Sequence, residues 1–152
     1  MTSVICLPDK ALIYATSCHG VLVFEEPDFP EVSLQVPGGT IDAGEGPETA
    51  ATREFIEETG LPETVKMDFL CIDNHRFERD GKQYQVKRHY FHTQLSDDTP
   101  QTWDHHEIFA HDGADPILFR FCWKSLSQAK QELGVGMNAA IDELAKRLAE
   151  TP

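Results

Sequence analysis

Glu54, Glu57 and Glu58 stand at i, i+3 and i+4, a spacing that places three carboxylates on one face of a helix. Like charges so placed destabilise a helix by about a few tenths of a kcal/mol per pair, whereas clustered hard oxygen donors suit magnesium or manganese. Carboxylates can also orient and deprotonate water, and metal and base together are what phosphoryl transfer to water requires. Arg53 is the adjacent cation, spaced to pair with Glu57 at i+4. Taken alone, Glu-x-x-Glu-Glu in an acidic chain reads better as a solvated helix face whose charge Arg53 compensates.

The carboxylates follow a glycine-rich segment, Pro37-Gly38-Gly39-Thr40-Ile41-Asp42-Ala43-Gly44-Glu45-Gly46. Gly39, five residues, Glu45, seven residues, and Arg53-Glu54-Phe55-Ile56-Glu57-Glu58-Thr59-Gly60-Leu61 together match a pattern whose chance occurrence in this chain is on the order of 10⁻⁷ at average residue usage. That pattern, Gly39 to Leu61, resembles the signature box of the Nudix hydrolase family without an insertion. Phe55 takes the bulky apolar position where an aliphatic residue is commoner.

The resemblance implies a metal-binding loop-helix-loop that positions the pyrophosphate of a nucleoside di- or triphosphate, or of another compound linked to a nucleoside diphosphate, for attack by water at phosphorus. It implies Glu57 and Glu58 as metal ligands, Glu54 as ligand or general base, and the Gly39 carbonyl as a further ligand to magnesium, with manganese as the alternative. Arg53 would orient a box carboxylate and Glu45 would brace the loop against the helix, so Glu54, Arg53 and Glu57 are the expected catalytic group. Some family members take the base from a loop outside the box. Here that loop is Ser96 to Pro116, where Glu107 or Asp104 would add a carboxylate and Trp103 would stack on a base. His105, His106 and His111 in the same segment read as surface histidines, because magnesium prefers oxygen.

Substrate choice lies outside the box. The tyrosine of many dinucleoside polyphosphate hydrolases and the proline of many ADP-ribose hydrolases would fall near Arg76 to Asp80, which holds neither. The chain matches no signature of the NADH or coenzyme A subgroups. Two other readings resemble branches of the same family: a nucleotide-sensing module without turnover, which the complete set of box carboxylates argues against, and an isomerase acting on a diphosphate-bearing lipid precursor.

The elements that must hold these residues are legible in part. Ala11 to Ala15 and Val21 to Glu26 are β-prone runs about a turn ending at Gly20, and Val32 to Val36 is a strand running into Pro37-Gly38-Gly39, where tight or left-handed backbone becomes possible. Pro47 suits a helix first turn, with Glu48 near the positive end of its dipole, and Gly60-Leu61-Pro62 supplies a stop, so a helix is predicted over Pro47 to Thr59. Lys66 to His75 and Gln83 to Leu95 form a hairpin about Asp80-Gly81. Ser96 to Pro116 shows neither period and reads as a functional loop. Ile117 to Trp123 is a strand, and Ser127 to Leu133 and Asn138 to Ala149 are helical, with Asn138 as N-cap. The expected architecture is an α/β fold, a mixed sheet sandwiched between helices.

At 152 residues the chain fits a single domain, 1–152, with a real core. Its formal charge of -13 disfavours a broad nucleic-acid or anionic-membrane surface but not a small phosphorylated substrate beside a bound cation. Cys6, Cys18, Cys71 and Cys122 show no metal-type spacing and read as reduced thiols, three of them in strand-like runs. No leader or apolar span is evident, so a cytoplasmic location is expected. A homodimer is one of the assembly states the sequence allows.

Overall fold

Alternation along β1 (Val4–Ser17) organises the molecule, because Ala11, Ile13 and Ala15 face one core and Leu12 and Tyr14 the other. A strand buried on both faces needs a continuous apolar run, which Ala11 to Ala15 provides. The computed structural model describes residues 3–61, 65–107 and 115–150. β1 turns through Cys18-His19 into the antiparallel β2 (Gly20–Glu25). The following elements are β3 (Gly38–Thr40), α1 (Pro47–Thr59), β4 (Asp68–Arg79), β5 (Lys82–Gln94), β6 (Trp103–His106), β7 (Leu118–Lys124), α2 (Leu126–Glu132) and α3 (Ile141–Glu150).

The strands of the described residues form one mixed sheet in the order β4-β5-β1-β2-β7-β6, with β3 added to β1 off that path. β1 and β5 run parallel, with an irregularity between Leu7 and Lys10, and β4 and β5 form the long hairpin predicted about Asp80-Gly81. On one face α1 covers the sheet through Ala50, Ala51 and Phe55. On the other, α2 with its C-cap residue Leu133, and α3, supply Ala129, Leu133, Ile141 and Leu144. The fold is therefore the predicted mixed sheet between helices. No helix among the described residues is long and apolar enough to cross a membrane.

Four local expectations are corrected. Val32 to Val36 is not a regular strand: Leu34 and Gln35 make only isolated bridges, and the ladder to β1 is formed by Gly38–Thr40 instead. Gly38 and Gly39 are extended there, and glycine is required by proximity, since a Cβ on Gly38 would lie 2.3 Å from the Ala11 carbonyl oxygen. Ser96 to Pro116 contains a strand, β6, paired to β7 from Trp103↔Phe121 to His106↔Leu118. Its inward positions are Trp103 and His105, and a histidine facing inward hides the alternation. Asn138 does not cap α3, which begins at Ile141; its side-chain amide donates to the Lys130 carbonyl at 2.8 Å. At the start of α2, Ser125 and Gln128 form a reciprocal capping box, which sets that helix one residue earlier than its apolar pattern suggests.

Candidate active site

α1 spans the predicted residues. Pro47 opens it, Glu48 sits in the first turn, and Gly60 closes it in the left-handed conformation (φ 71°), its N–H bonded to the Ile56 carbonyl. Ala50, Ala51 and Phe55 lock one face of the helix into the core, which turns Glu54 and Glu58 toward β3. Glu58, only 6% exposed, accepts the Gly38 N–H at 2.5 Å. The Glu54 carboxylate lies against the backbone of Gly39, where a Cβ would come within 2.3 Å of its Cδ.

Arg53 is the electrostatic hub. Its Nε and Nη2 donate to the two oxygens of Glu45 at 2.7 and 2.8 Å, and its Nη1 donates to Glu54 at 2.9 Å and to Glu57 at 3.4 Å. Nη2 also donates to the Thr40 carbonyl at 3.3 Å, tying helix, loop and β3 together. The bidentate guanidinium holds the Glu45 carboxyl down at about 2. The inner carboxyls shift the other way. Burial pushes Glu58 well above the usual carboxylate range; the Gly38 N–H opposes this, and the charges of Glu54, Glu107 and Glu57 add to it. Burial likewise raises Glu54, with Arg53 opposing and Glu57 and Glu107 contributing.

Of the two carboxylates expected from the segment after β5, Glu107 is the one whose charge reaches the box carboxylates. Its charge acts on both Glu54 and Glu58, and its N–H is fixed to the Ile117 carbonyl at 3.0 Å. Asp104 points elsewhere, into a two-bond pair with Arg120 at 2.9 and 3.1 Å. Trp103 stacks on Phe121 with ring centroids 4.9 Å apart and donates its indole N–H to the Thr59 carbonyl at 2.9 Å, anchoring the end of α1. The His105 ring packs on Gly60 with Nε2 3.1 Å from the Glu57 carbonyl oxygen, His106 is exposed, and His111 lies outside the described residues.

Two contributors escape sequence reasoning. The Gly38 N–H is a backbone group with no residue-type signal. Lys10 is a lone cation ahead of an apolar run; only the pairing of β1 with β3 sets it beside Thr40, where Glu58 and Glu54 act on it.

The donor set around β3 is all oxygen, and its members repel one another, which fits a hard divalent cation in type and charge. Among the described residues no three His, Cys, Asp or Glu side chains are arranged as a finished ligand set. The carboxylates are instead turned onto Arg53 and Gly38 N–H.

Comparison with known proteins gives a consistent family. The fold is similar to that of an Ap4A hydrolase of C. elegans, solved as a binary complex, at TM-score 0.61 and 21% identity, covering 94% of this chain and 98% of that one. A NUDIX hydrolase of Listeria monocytogenes is similar at TM-score 0.64 and 23% identity over 94% and 95% of the two chains. A MutT NUDIX hydrolase of Burkholderia pseudomallei gives 0.58 and 18% over 90% and 97%. No curated protein sequence matches the chain. The NUDIX domain family model matches residues 7–143, nearly the whole chain and all of the carboxylate helix, and the protein belongs to that family.

Proposed function

We propose that this chain hydrolyses a pyrophosphate bond in a nucleoside di- or triphosphate, or in another compound linked to a nucleoside diphosphate, with magnesium or manganese as its cation. By family it is a pyrophosphohydrolase of the Nudix type; the metal, the substrate class and the roles below are our reading. The observation that carries it is the crowding of Glu54 and Glu58, both raised by burial, against Gly38 and Gly39 within the field of Glu57 and Glu107. Carboxylates so crowded are disfavoured without a compensating positive charge.

In this reading Glu57, Glu58, Glu54 and the Gly39 carbonyl hold the cation, which when bound neutralises charge on the phosphate oxygens. Glu54 or Glu107 orients the attacking water and takes its proton, a role open to a carboxylate within hydrogen-bond reach of that water. Arg53 restrains Glu54 and Glu57, and Glu45 fixes Arg53. The chain acts as one Nudix domain on a small nucleotide-type substrate, and four free thiols fit the reducing cytoplasm.

The test is a turnover panel of nucleoside triphosphates, ADP-ribose, nucleotide sugars and dinucleoside polyphosphates with magnesium or manganese. Metal-dependent release of phosphate, pyrophosphate or nucleoside monophosphate is expected, lost in Glu57→Gln and Glu58→Gln. An active double variant with unchanged metal dependence overturns the reading.

A further inference from the structure

The cations of this acidic chain are not evenly spread. Lys10, Arg79 and Arg88, three of its 13 Lys and Arg residues, line one cavity of about 230 Å³ with His75, Phe77 and Val135. Among the described residues none of the three cations has a carboxylate at ion-pair distance. Asp73 stands across from Arg88 on β4 without pairing with it.

Arg88 is 4% exposed. Its Nη1 donates to the Val135 carbonyl at 2.7 Å, while its buried Nε finds no partner among the described residues. A buried N–H of a charged group without an acceptor is costly and calls for an explanation. The loop over the cavity is also under constraint. Val135, a β-branched residue, has φ 54°, and Gly136 has φ 71° with the His75 ring where its Cβ would be. Arg79 is held over the Phe77 ring, 5.3 Å from the centroid.

The cavity connects to the box through Lys10. In register, Thr40, Lys10 and Arg88 stand side by side on β3, β1 and β5. Adjacent strands lie about 4.8 Å apart, so Arg88 is roughly 10 Å from the strand that carries Gly39. Lys10 feels Glu54 and Glu58 on one side and Arg88 on the other.

We propose that this cavity receives a second phosphate group of the substrate, beyond the scissile pyrophosphate, with Arg88 Nε, Lys10 and Arg79 as its donors; Arg88 stands two strands from the β3 that carries Gly39. The substrate class is then a pyrophosphate compound with an additional phosphate beyond the cleaved link, on a sugar or farther along a phosphate chain. This rests on the pyrophosphatase reading and refines it from "nucleoside diphosphate-linked" to "carrying a further anionic group".

The test is calorimetric binding, with magnesium present, of adenosine, AMP, AMP carrying a second phosphate on its ribose, and a methylene-blocked ATP analogue. Charge-assisted hydrogen bonds of this kind correspond to a gain of about ten-fold or more in affinity. We expect that gain over AMP for at least one of the two phosphate-rich ligands, and its loss in Lys10→Gln and Arg79→Gln, both clear of the buried core. A gain confined to the ribose-phosphorylated ligand identifies a sugar phosphate, and one confined to the ATP analogue a phosphate chain. Equal binding of AMP and both richer ligands, a gain that survives both variants, or adenosine binding as tightly as the richer ligands overturns the proposal. None of these outcomes touches the turnover panel, so a failed cavity and a failed pyrophosphatase are distinguishable.

Discussion

Glu58 accepts the backbone N–H of Gly38 at 2.5 Å from a position almost sealed from solvent. The bond spans the first strand of the box and the last turn of its helix, and its acceptor is a carboxyl whose proton affinity is raised by burial. A carboxyl whose folded pKa lies above its unfolded value, about 4.3 for Glu, binds more protons folded than unfolded. Its contribution is fully present below the unfolded value and is lost as pH rises through the folded one. In chelator, the melting temperature of Glu58→Gln, whose amide oxygen can still accept the Gly38 N–H, should fall less than that of wild type between pH 5 and pH 8, to an extent on the order of a few degrees. Magnesium should raise the wild-type melting temperature and leave that of the variant unmoved. Differential scanning fluorimetry across pH reads both, and parallel curves refute the assignment.

Gly39→Ala tests the close approach of β3 to α1. A Cβ there would meet the Glu54 carboxylate at 2.3 to 2.6 Å, so the side chain must swing away from β3. Gly39 is extended, so the substitution adds no left-handed strain, and the fold should persist by circular dichroism. Displacing a reacting or ligating group by about 1 Å lowers turnover about 100-fold, and kcat should fall by that order with little change in melting temperature. An unaffected kcat removes Glu54 from the chemistry.

Glu45 and Arg53 make the opposite pH prediction. The Glu45 carboxyl is held down at about 2 by the Arg53 guanidinium. Its folded pKa lies below the unfolded one, so the contribution is present above the unfolded value and disappears as pH falls through about 2. Glu45→Gln should therefore melt below wild type at pH 7, with the difference closing under acid. Because Arg53 also holds Glu54 and Glu57, the variant should lose kcat more than its melting temperature suggests. Equal losses in both would make Glu45 a structural residue alone.

How much of this was legible in the sequence depends on whether a residue acts through its own side chain. Glu54, Glu57, Glu58, Arg53 and Glu45 carry type and spacing together, and Pro47 and Gly60 mark both ends of their helix, so helix and carboxylate face read directly. Gly38 acts through its N–H and through its lack of a Cβ, so the apolar pattern places its strand a few residues too early, at Val32 to Val36. β6 is hidden from the sequence because His105 faces inward, and Asp104 reads as available because its partner Arg120 is a cross-strand neighbour on β7. Lys10 and Arg88 are adjacent only through the parallel pairing of β1 with β5, a contact between residues far apart in the chain that no local pattern encodes.

Tyr14 links the sheet to the segment that leads into α3. Its ring is fully buried against Tyr90, its hydroxyl donates to the Met137 carbonyl at 2.7 Å, and it accepts the Ala140 N–H at 3.2 Å. Tyr14→Phe keeps the ring and removes both bonds, leaving a carbonyl and an amide of the turn before α3 without that partner. A buried group left unsatisfied costs about 1–3 kcal/mol, which urea denaturation should read as a lower midpoint at unchanged slope. The same turn carries the Val135 carbonyl that Arg88 holds and the Gly136 that packs on His75. Loosening it should therefore weaken binding of a phosphate-rich nucleotide while leaving the carboxylate helix, on the opposite face of β1, at full turnover for substrates that lack the extra phosphate. A variant that loses stability with both activities in equal proportion would show that the turn supports the whole sheet and not the cavity alone.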